Sequence, residues 1–289
     1  MSEMREGSVR CLSPAGFHNM AYVEWGDVAN PRVLVCVHGL TRCGRDFDDL
    51  ARAMSDRYRV VCPDVVGRGK SDWLRNPLLY GVPQYAADIT VLLAQINGTA
   101  QVDSVHWVGT SMGGLIGMAV AAQPDTPVSR LVLNDVGPVV TAVSIARIAE
   151  YLGKAPALDS IAAAVSLVRA VSPAFGPHTD DEWYRLTVPL IRETAEGKFV
   201  FRYDPKIAEP FRLAMQESAG RDMELWPLYD AITCPTLLLR GAESDLLTRE
   251  TAQLMTTRGP HAKLSEIAGV GHAPTLVHAD QIAIVRDFL

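Results

Sequence analysis

The stretch HWVGTSMGG, residues 106–114, holds a serine in the pattern Gly-x-Ser-x-Gly, because Gly109 and Gly113 flank Ser111. The apolar and aromatic residues before the motif are typical of a short strand, and MGGLIGMAVAAQ after it is typical of a helix that ends at Pro124. Between a strand and a helix, this motif predicts a sharp turn that presents the serine hydroxyl as a nucleophile. Glycines suit such a turn because side chains there would collide with the strand and the helix. The alternative is an ordinary turn that happens to contain a serine.

A serine hydroxyl is a poor nucleophile without a base and an acid that orients the base. His272 lies in the glycine-rich loop AGVGHAP after an apolar run and is the predicted base. Asp245, in RGAESDLLT just beyond a predicted strand, is the predicted acid. Asp135 in LNDVGP, at the end of the preceding strand, is its rival, and Glu243 is a weaker third candidate. With Asp245 the chain order is serine, acid, histidine, as expected for such a triad.

An attacked carbonyl becomes an oxyanion that needs hydrogen-bond donors already in place. The predicted donors are the backbone N–H of Met112, at the start of the helix after the serine, and that of Leu40 in the loop HGLTRCG, residues 38–44. The alternative for His38 and its glycine is a simple tight turn. His106, inside a predicted strand, and His278, in a helix-like stretch, are predicted to be structural.

Short apolar runs followed by turn residues predict the strands that position these groups. They lie at 32–39, 58–64, 104–109, 130–135, 235–241 and 262–269, with helix-like segments at 47–56 and 83–96. This alternation indicates an α/β fold around a mostly parallel sheet, and 19–26 resembles an antiparallel edge strand. In such sheets ligands bind outside the carboxyl ends of the strands, where the candidate residues fall.

The rhythm breaks between 138 and 230, where helical periodicity continues without intervening strands. We interpret 138–230 as a helical cap inserted into an α/β core formed by 1–137 and 231–289. Substrate selectivity is expected to lie in this cap. Arg147, Tyr151, Phe175 and Trp183 are candidate substrate-binding residues, although apolar residues at helical spacing are equally typical of core packing.

The composition narrows the class of protein. The 289 residues are 48% hydrophobic and carry a net charge of −6 without a basic run, which argues against a nucleic-acid partner. The five cysteines have no C-x-x-C spacing, so reduced thiols in the cytoplasm are expected rather than disulfides or a zinc site. We expect no signal peptide, because the N-terminal stretch MSEMREGSVRCLSPAG has no apolar run, and no membrane span, because no apolar stretch approaches about 18 residues. A monomer or a homodimer is expected.

Together, VCVHGL, CPDVVGRGKSD, VGTSMGG, RGAESD and GVGHAP stand in the order and near the spacing of the α/β-hydrolase superfamily, which this chain resembles over nearly its whole length. The resemblance implies a sheet of about eight strands with one antiparallel, an inserted helical cap, and no metal or organic cofactor. It also implies that residues 64–71 form a structural loop beside the site, and it assigns them no catalytic role.

Proteins that share this fold catalyse many different reactions, so the class of substrate is inferred from individual residues of this chain. Haloalkane dehalogenases and epoxide hydrolases of this superfamily use an Asp where this chain has Ser111. The leading hypothesis is a serine hydrolase that cleaves a small to medium carboxylic ester or lactone through an acyl-enzyme. A carbon–carbon bond hydrolase is the alternative, weakened because Arg240 and Gly241 stand where those enzymes usually have a Trp, and favoured if an unpaired cap Arg such as Arg147 binds a carboxylate. A third hypothesis is a small-molecule receptor with slow turnover.

Overall fold

The computed structural model describes residues 3–154 and 156–289. The chain up to Asn134 forms the strands and helices β1 (Arg5–Ser13), β2 (Gly16–Trp25), β3 (Arg32–Val37), α1 (Asp48–Met54), β4 (Arg59–Pro63), α2 (Val82–Thr99), β5 (Ser104–Thr110), α3 (Met112–Ala121) and β6 (Val128–Asn134). The elements that follow, before the chain returns to the same sheet, are β7 (Val139–Val140), α4 (Ala142–Tyr151), α5 (Ile161–Val171), α6 (Asp180–Thr187), β8 (Ile191–Glu193), β9 (Phe199–Phe201), α7 (Ala208–Ser218), β10 (Met223–Glu224) and α8 (Trp226–Asp230). The chain ends with β11 (Thr236–Gly241), α9 (Arg249–Thr257), β12 (Lys263–Ile267) and α10 (Ala279–Phe288).

The main sheet has eight strands within the described ranges, in the order β1-β2-β4-β3-β5-β6-β11-β12. Strand β2 runs antiparallel to both of its neighbours, and every other pairing in this sheet is parallel. The predicted α/β fold, with about eight strands and one antiparallel, is therefore confirmed.

The expectation that residues 19–26 form the edge of the sheet is wrong. They lie largely within β2, which is covered on its outer side by β1. Strand β1 was not predicted from the sequence, because polar residues dominate REGSVRCLS and only alternate side chains in its second half are buried. The edge of the sheet is therefore a half-solvated strand of the kind that needs little hydrophobicity.

Helices cover both faces of the sheet. One face packs against α2, α3 and α9, with Ile89, Ile116 and Met255 buried there. The other face packs against α1 and α10, with Leu50 and Val285 buried in a separate cluster. Since both faces are covered, the central strands are mainly apolar, as parallel strands usually are.

The segment between β6 and β11 is mostly helical but also contains strands, contrary to expectation. Strands β8 and β9 pair as one small sheet, and β7 pairs with β10 as another. Residues 180–197 have helical periodicity in the sequence, but the helix that begins at Asp180 stops at Thr187, where Pro189 helps to end it and Ile191 then begins β8. A separate hydrophobic cluster, with Val168 of α5 and Trp183 of α6 at its centre, holds this segment together.

Candidate active site

Ser111 occupies the sharp turn between β5 and α3, with φ 52° and ψ −116°. A non-glycine residue with positive φ is strained, and such strain is concentrated at functional turns. The flanking glycines are required by space. A Cβ on Gly109 would lie 2.3 Å from the carbonyl oxygen of Gly113, and one on Gly113 would lie 1.9 Å from that of Val37. The geometry is that of the turn predicted from the motif.

His272 lies in the loop after β12, with its imidazole facing the serine. Its Nε2 is 3.0 Å from the Oγ of Ser111, and its side chain is 16% exposed. The loop is tied to the turn before α6, because the Gly271 N–H donates to the carbonyl of Ala174 at 2.7 Å. The structure thus brings the serine and the histidine, 161 residues apart in the chain, within hydrogen-bond distance.

The acid beside His272 is Asp135, so the choice of Asp245 is corrected. The Nδ1 of His272 donates to Oδ2 of Asp135 at 2.7 Å. Asp135 lies directly after β6, is fully buried, and also accepts hydrogen bonds from the Ser244 hydroxyl at 2.6 Å and the Gly241 N–H at 2.8 Å. Charged acceptors with several donors are held in one orientation. The carboxylate therefore fixes Nδ1 as the protonated nitrogen and leaves the Nε2 lone pair facing the serine.

Asp245 instead lies at the surface, with 54% of its side chain exposed. Its carboxylate forms an ion pair with Arg147, Nε to Oδ2 2.9 Å. Arg147, a candidate substrate-binding residue, is therefore not the unpaired cap arginine that would favour a carbon–carbon bond hydrolase. Glu243, the third candidate acid, is exposed. Strands β6 and β11 are neighbours, so acids after either strand were plausible, and only the direction of the loops separates them.

The two predicted oxyanion donors lie at the ends of adjacent strands. Met112 is the first residue of α3, and Leu40 follows β3 in the 38–44 loop. Neither N–H donates a hydrogen bond within residues 3–154 and 156–289. An N–H in the first turn of a helix has no intrahelical partner and lies at the positive end of the helix dipole, so it can donate to an anion.

Arg68, to which the sequence assigned no role in the chemistry, holds this region in place. Its buried guanidinium donates through Nε to the Leu40 carbonyl at 2.8 Å and through Nη1 to the Tyr85 hydroxyl at 2.8 Å. Its Nη2 lies 3.4 Å from the Met112 sulfur. The rigid fork of donors therefore links the 38–44 loop to the start of α3. The position of Arg68 within the motif CPDVVGRGKSD was the only indication of this role in the sequence, and nothing in the sequence revealed its hydrogen-bond partners.

Three further histidines have structural positions. His38 accepts the Val65 N–H at Nε2 and donates to the Gly39 carbonyl at 2.7 Å, and burial lowers its pKa to about 3. His106 packs against Tyr58 with ring centroids 5.3 Å apart, and burial lowers its pKa to about 4. His278 precedes α10. The buried, neutral imidazoles of His38 and His106 therefore support a loop and a strand.

The candidate pocket residues divide into two groups. Tyr151 lines an apolar cavity that also borders Thr41, the residue after Leu40. Phe175 lines a smaller cavity beside Thr110 and Ala273, which flank the serine and the histidine. Trp183, in contrast, is buried against Phe175, with rings stacked 6.2 Å apart. Tyr151 and Phe175 therefore stay predicted as substrate contacts, whereas Trp183 has the position of a packing residue.

Donors of the type that bind metals come together at Cys11, His18 and Asp88, with donor atoms within 4.8 Å of one another. Both oxygens of Asp88 already accept hydrogen bonds, Oδ2 from His18 at 2.9 Å and Oδ1 from Gln84 at 2.7 Å. The cluster therefore ties the hairpin of β1 and β2 to α2. The expectation that the protein needs no metal stays a prediction.

Across the described residues, no helix has both the length and the apolar character to cross a bilayer.

Comparison with known proteins places this geometry in a family. Residues 34–285 match the model of the alpha/beta hydrolase family. A 3-hydroxybutyrate-oligomer hydrolase of Cupriavidus necator is 48% identical over 288 residues, which cover 98% of this chain and 97% of that protein. A putative hydrolase from Rickettsia typhi has a TM-score of 0.88 at 30% identity, covering 99% of this chain and 98% of that one. An alpha/beta hydrolase from Novosphingobium aromaticivorans has a TM-score of 0.85 at 34% identity, covering 100% and 98%. The chain therefore belongs to the alpha/beta hydrolase family and is a hydrolase of the esterase class.

Proposed function

We propose that this protein is a serine hydrolase that cleaves the ester bonds of short 3-hydroxybutyrate oligomers through an acyl-enzyme. The observation that carries the mechanism is the hydrogen-bonded chain from Ser111 through His272 to Asp135, with heavy-atom distances of 3.0 and 2.7 Å. The substrate class is supported by the 48% identity to the Cupriavidus necator hydrolase and agrees with the carboxylic ester predicted from the sequence.

In the first half of the reaction, His272 Nε2 takes the hydroxyl proton as Ser111 Oγ attacks the ester carbonyl carbon. The carbonyl oxygen becomes an oxyanion and accepts hydrogen bonds from the N–H groups of Leu40 and Met112. The tetrahedral intermediate then collapses, the carbon–alkoxy bond breaks, and His272 gives its proton to the departing alcohol. An acyl group remains on Ser111.

In the second half, water attacks the acyl carbon and His272 takes a proton from it. The bond to Ser111 breaks, the serine recovers its proton from His272, and the carboxylic acid leaves. Asp135 stays ionised throughout, where it stabilises the imidazolium and holds its orientation. Its burial and its donors from Gly241 and Ser244 keep this carboxylate in one position.

The other functions considered from the sequence receive less support. The carbon–carbon hydrolase hypothesis depended on an unpaired cap arginine, and Arg147 is ion-paired with Asp245. A receptor with slow turnover does not require a serine, histidine and acid in hydrogen-bond contact.

All five cysteines, each within the described residues, are buried free thiols, which fits the predicted cytoplasmic setting.

The test compares the wild type with Ser111→Ala on p-nitrophenyl butyrate and on the linear dimer of 3-hydroxybutyrate. Loss of the serine from a triad that acts as a unit is expected to lower kcat by about 10⁶. A fluorophosphonate probe should label the wild type and not the variant. Substantial residual turnover in Ser111→Ala would refute the nucleophile. A serine that reacts with the probe while neither ester is cleaved would instead point to cyclic esters.

A further inference from the structure

An apolar cavity of about 140 Å³ lies between the 38–44 loop and the segment that joins β6 to β11. Its walls include Leu167 and Val168 of α5, together with Leu190 and Phe201. Ligand sites in proteins are commonly apolar concavities with a few polar groups that fix orientation. The cavity therefore suits the methyl and methylene groups of a short aliphatic chain.

The cavity wall is linked to the residues proposed to bind the oxyanion. Thr41 in its wall follows Leu40 directly in the chain. Tyr203, also in its wall, pairs in an isolated β-bridge with Arg68, whose guanidinium contacts both the Leu40 carbonyl and the Met112 sulfur. Two residues of the cavity wall, Thr41 and Tyr203, are thus connected through the chain and through Arg68 to the two proposed oxyanion donors.

Among the described residues that line this apolar cavity, one is a cation, the exposed side chain of Lys154. Across residues 3–154 and 156–289 it makes no hydrogen bond and no ion pair with a protein group. Arg147, earlier on α4, differs because Asp245 already neutralises it at 2.9 Å. A cation without a protein partner, beside apolar walls, favours a ligand that has an aliphatic body and a negatively charged end.

We propose that this cavity is the subsite for the carboxyl-terminal unit of a hydroxyacid oligomer and that Lys154 binds the free carboxylate of that unit. This inference rests on the proposed function. In a linear oligomer, the unit with the free carboxylate is joined to the rest through its hydroxyl oxygen, so it is the alcohol that leaves in the first half of the reaction. The ester bond to that oxygen breaks, His272 returns the proton to it, and the remaining units stay as the acyl group on Ser111. The enzyme then removes units from the carboxyl end.

The test uses the linear 3-hydroxybutyrate dimer as the free acid and as its methyl ester, which lacks the charge. Lys154→Met should raise KM for the free acid about three- to fivefold, the factor for a partly exposed ion pair, and leave kcat and the KM of the methyl ester unchanged. Lys154→Arg keeps the charge and should stay near the wild type. Lys206→Met removes an exposed lysine of the same segment that does not line the cavity, so it should change nothing.

Several outcomes would overturn the proposal. Equal effects of Lys154→Met on acid and methyl ester would mean that the lysine acts on structure, and no effect on either would mean that it does not bind the carboxylate. An equal rise in Lys206→Met would assign the effect to overall charge. If the dimer is not cleaved, its inhibition constant against p-nitrophenyl butyrate replaces KM in the same comparison. A failure of the proposed function would be detected by a different measurement, because Ser111→Ala would then retain turnover.

Discussion

Replacing Asp135 with Asn should disable the histidine without removing the shape of the acid. Oδ1 of Asp135 accepts the Gly241 N–H, and Oδ2 accepts both the Ser244 hydroxyl and His272 Nδ1. An asparagine must put its NH₂ group at one of these positions. At the position of Oδ1 the NH₂ group would face the Gly241 N–H, which can only donate. The NH₂ group is therefore expected at the position of Oδ2, where the Ser244 hydroxyl can rotate and the His272 imidazole can change tautomer, so that both can accept.

That arrangement makes Nδ1 of His272 an acceptor and puts the proton on Nε2, against Ser111. The imidazole then has no lone pair with which to take the serine proton. In serine proteases the corresponding change lowers kcat about 10⁴-fold, which is about 5.5 kcal/mol of activation free energy. We expect a loss of that order for Asp135→Asn in the hydrolysis of p-nitrophenyl butyrate.

Asp245→Asn is the matched control, because it makes the same chemical change at the acid favoured by the sequence. It removes one exposed ion pair with Arg147, worth about 0–1 kcal/mol, so kcat should stay within about fivefold of the wild type. Thermal unfolding would show that both variants are folded. The reverse result, an active Asp135→Asn and an inactive Asp245→Asn, would refute the assignment of the acid.

Two predictions concern stability. Gly113→Ala puts a methyl group 1.9 Å from the backbone oxygen of Val37, so β3 must shift, and we expect a loss of about 3 kcal/mol or more in chemical denaturation. Gly98→Ala in α2, where a Cβ meets nothing within 4 Å, should be neutral or stabilising, and a similar loss there would contradict the steric argument. The pKa values of His38 and His106, lowered by burial to about 3 and about 4, keep both neutral in the folded state while the unfolded chain takes up protons below pH about 6.5. The free energy of unfolding should therefore decrease as the pH is lowered through this window, by about 1.4 kcal/mol per histidine at pH 5.5. Between pH 7.5 and 5.5, His106→Phe should show about half of the decrease seen in the wild type. An unchanged pH dependence would show that His106 is not the titrating group.

Much of the fold was readable from local patterns. Apolar runs separated by helical segments predicted the central strands, because a parallel strand covered on both faces is apolar over most of its length. The sharp turn at Ser111 was readable for a similar reason, since backbone sterics at Gly109 and Gly113 restrict the residue type at those positions. Strand β1 was missed because an edge strand with one solvated face carries a weak hydrophobic signal.

The acid was decided only by the tertiary structure. Asp135 and Asp245 both follow strand ends on the same side of the sheet, and no local property of the chain tells which carboxylate turns toward His272. The answer depends on the direction of two loops, fixed by the bonds from Gly241 and Ser244 to one of the two acids. The partner of Arg147 was likewise hidden, because an ion pair between residues 98 positions apart leaves no mark in either local sequence. The sequence by itself determined the residue types that the chemistry needs and the strand ends that carry them. Long-range packing chose among equivalent side chains, since their contacts exist only once the sheet has brought distant loops together.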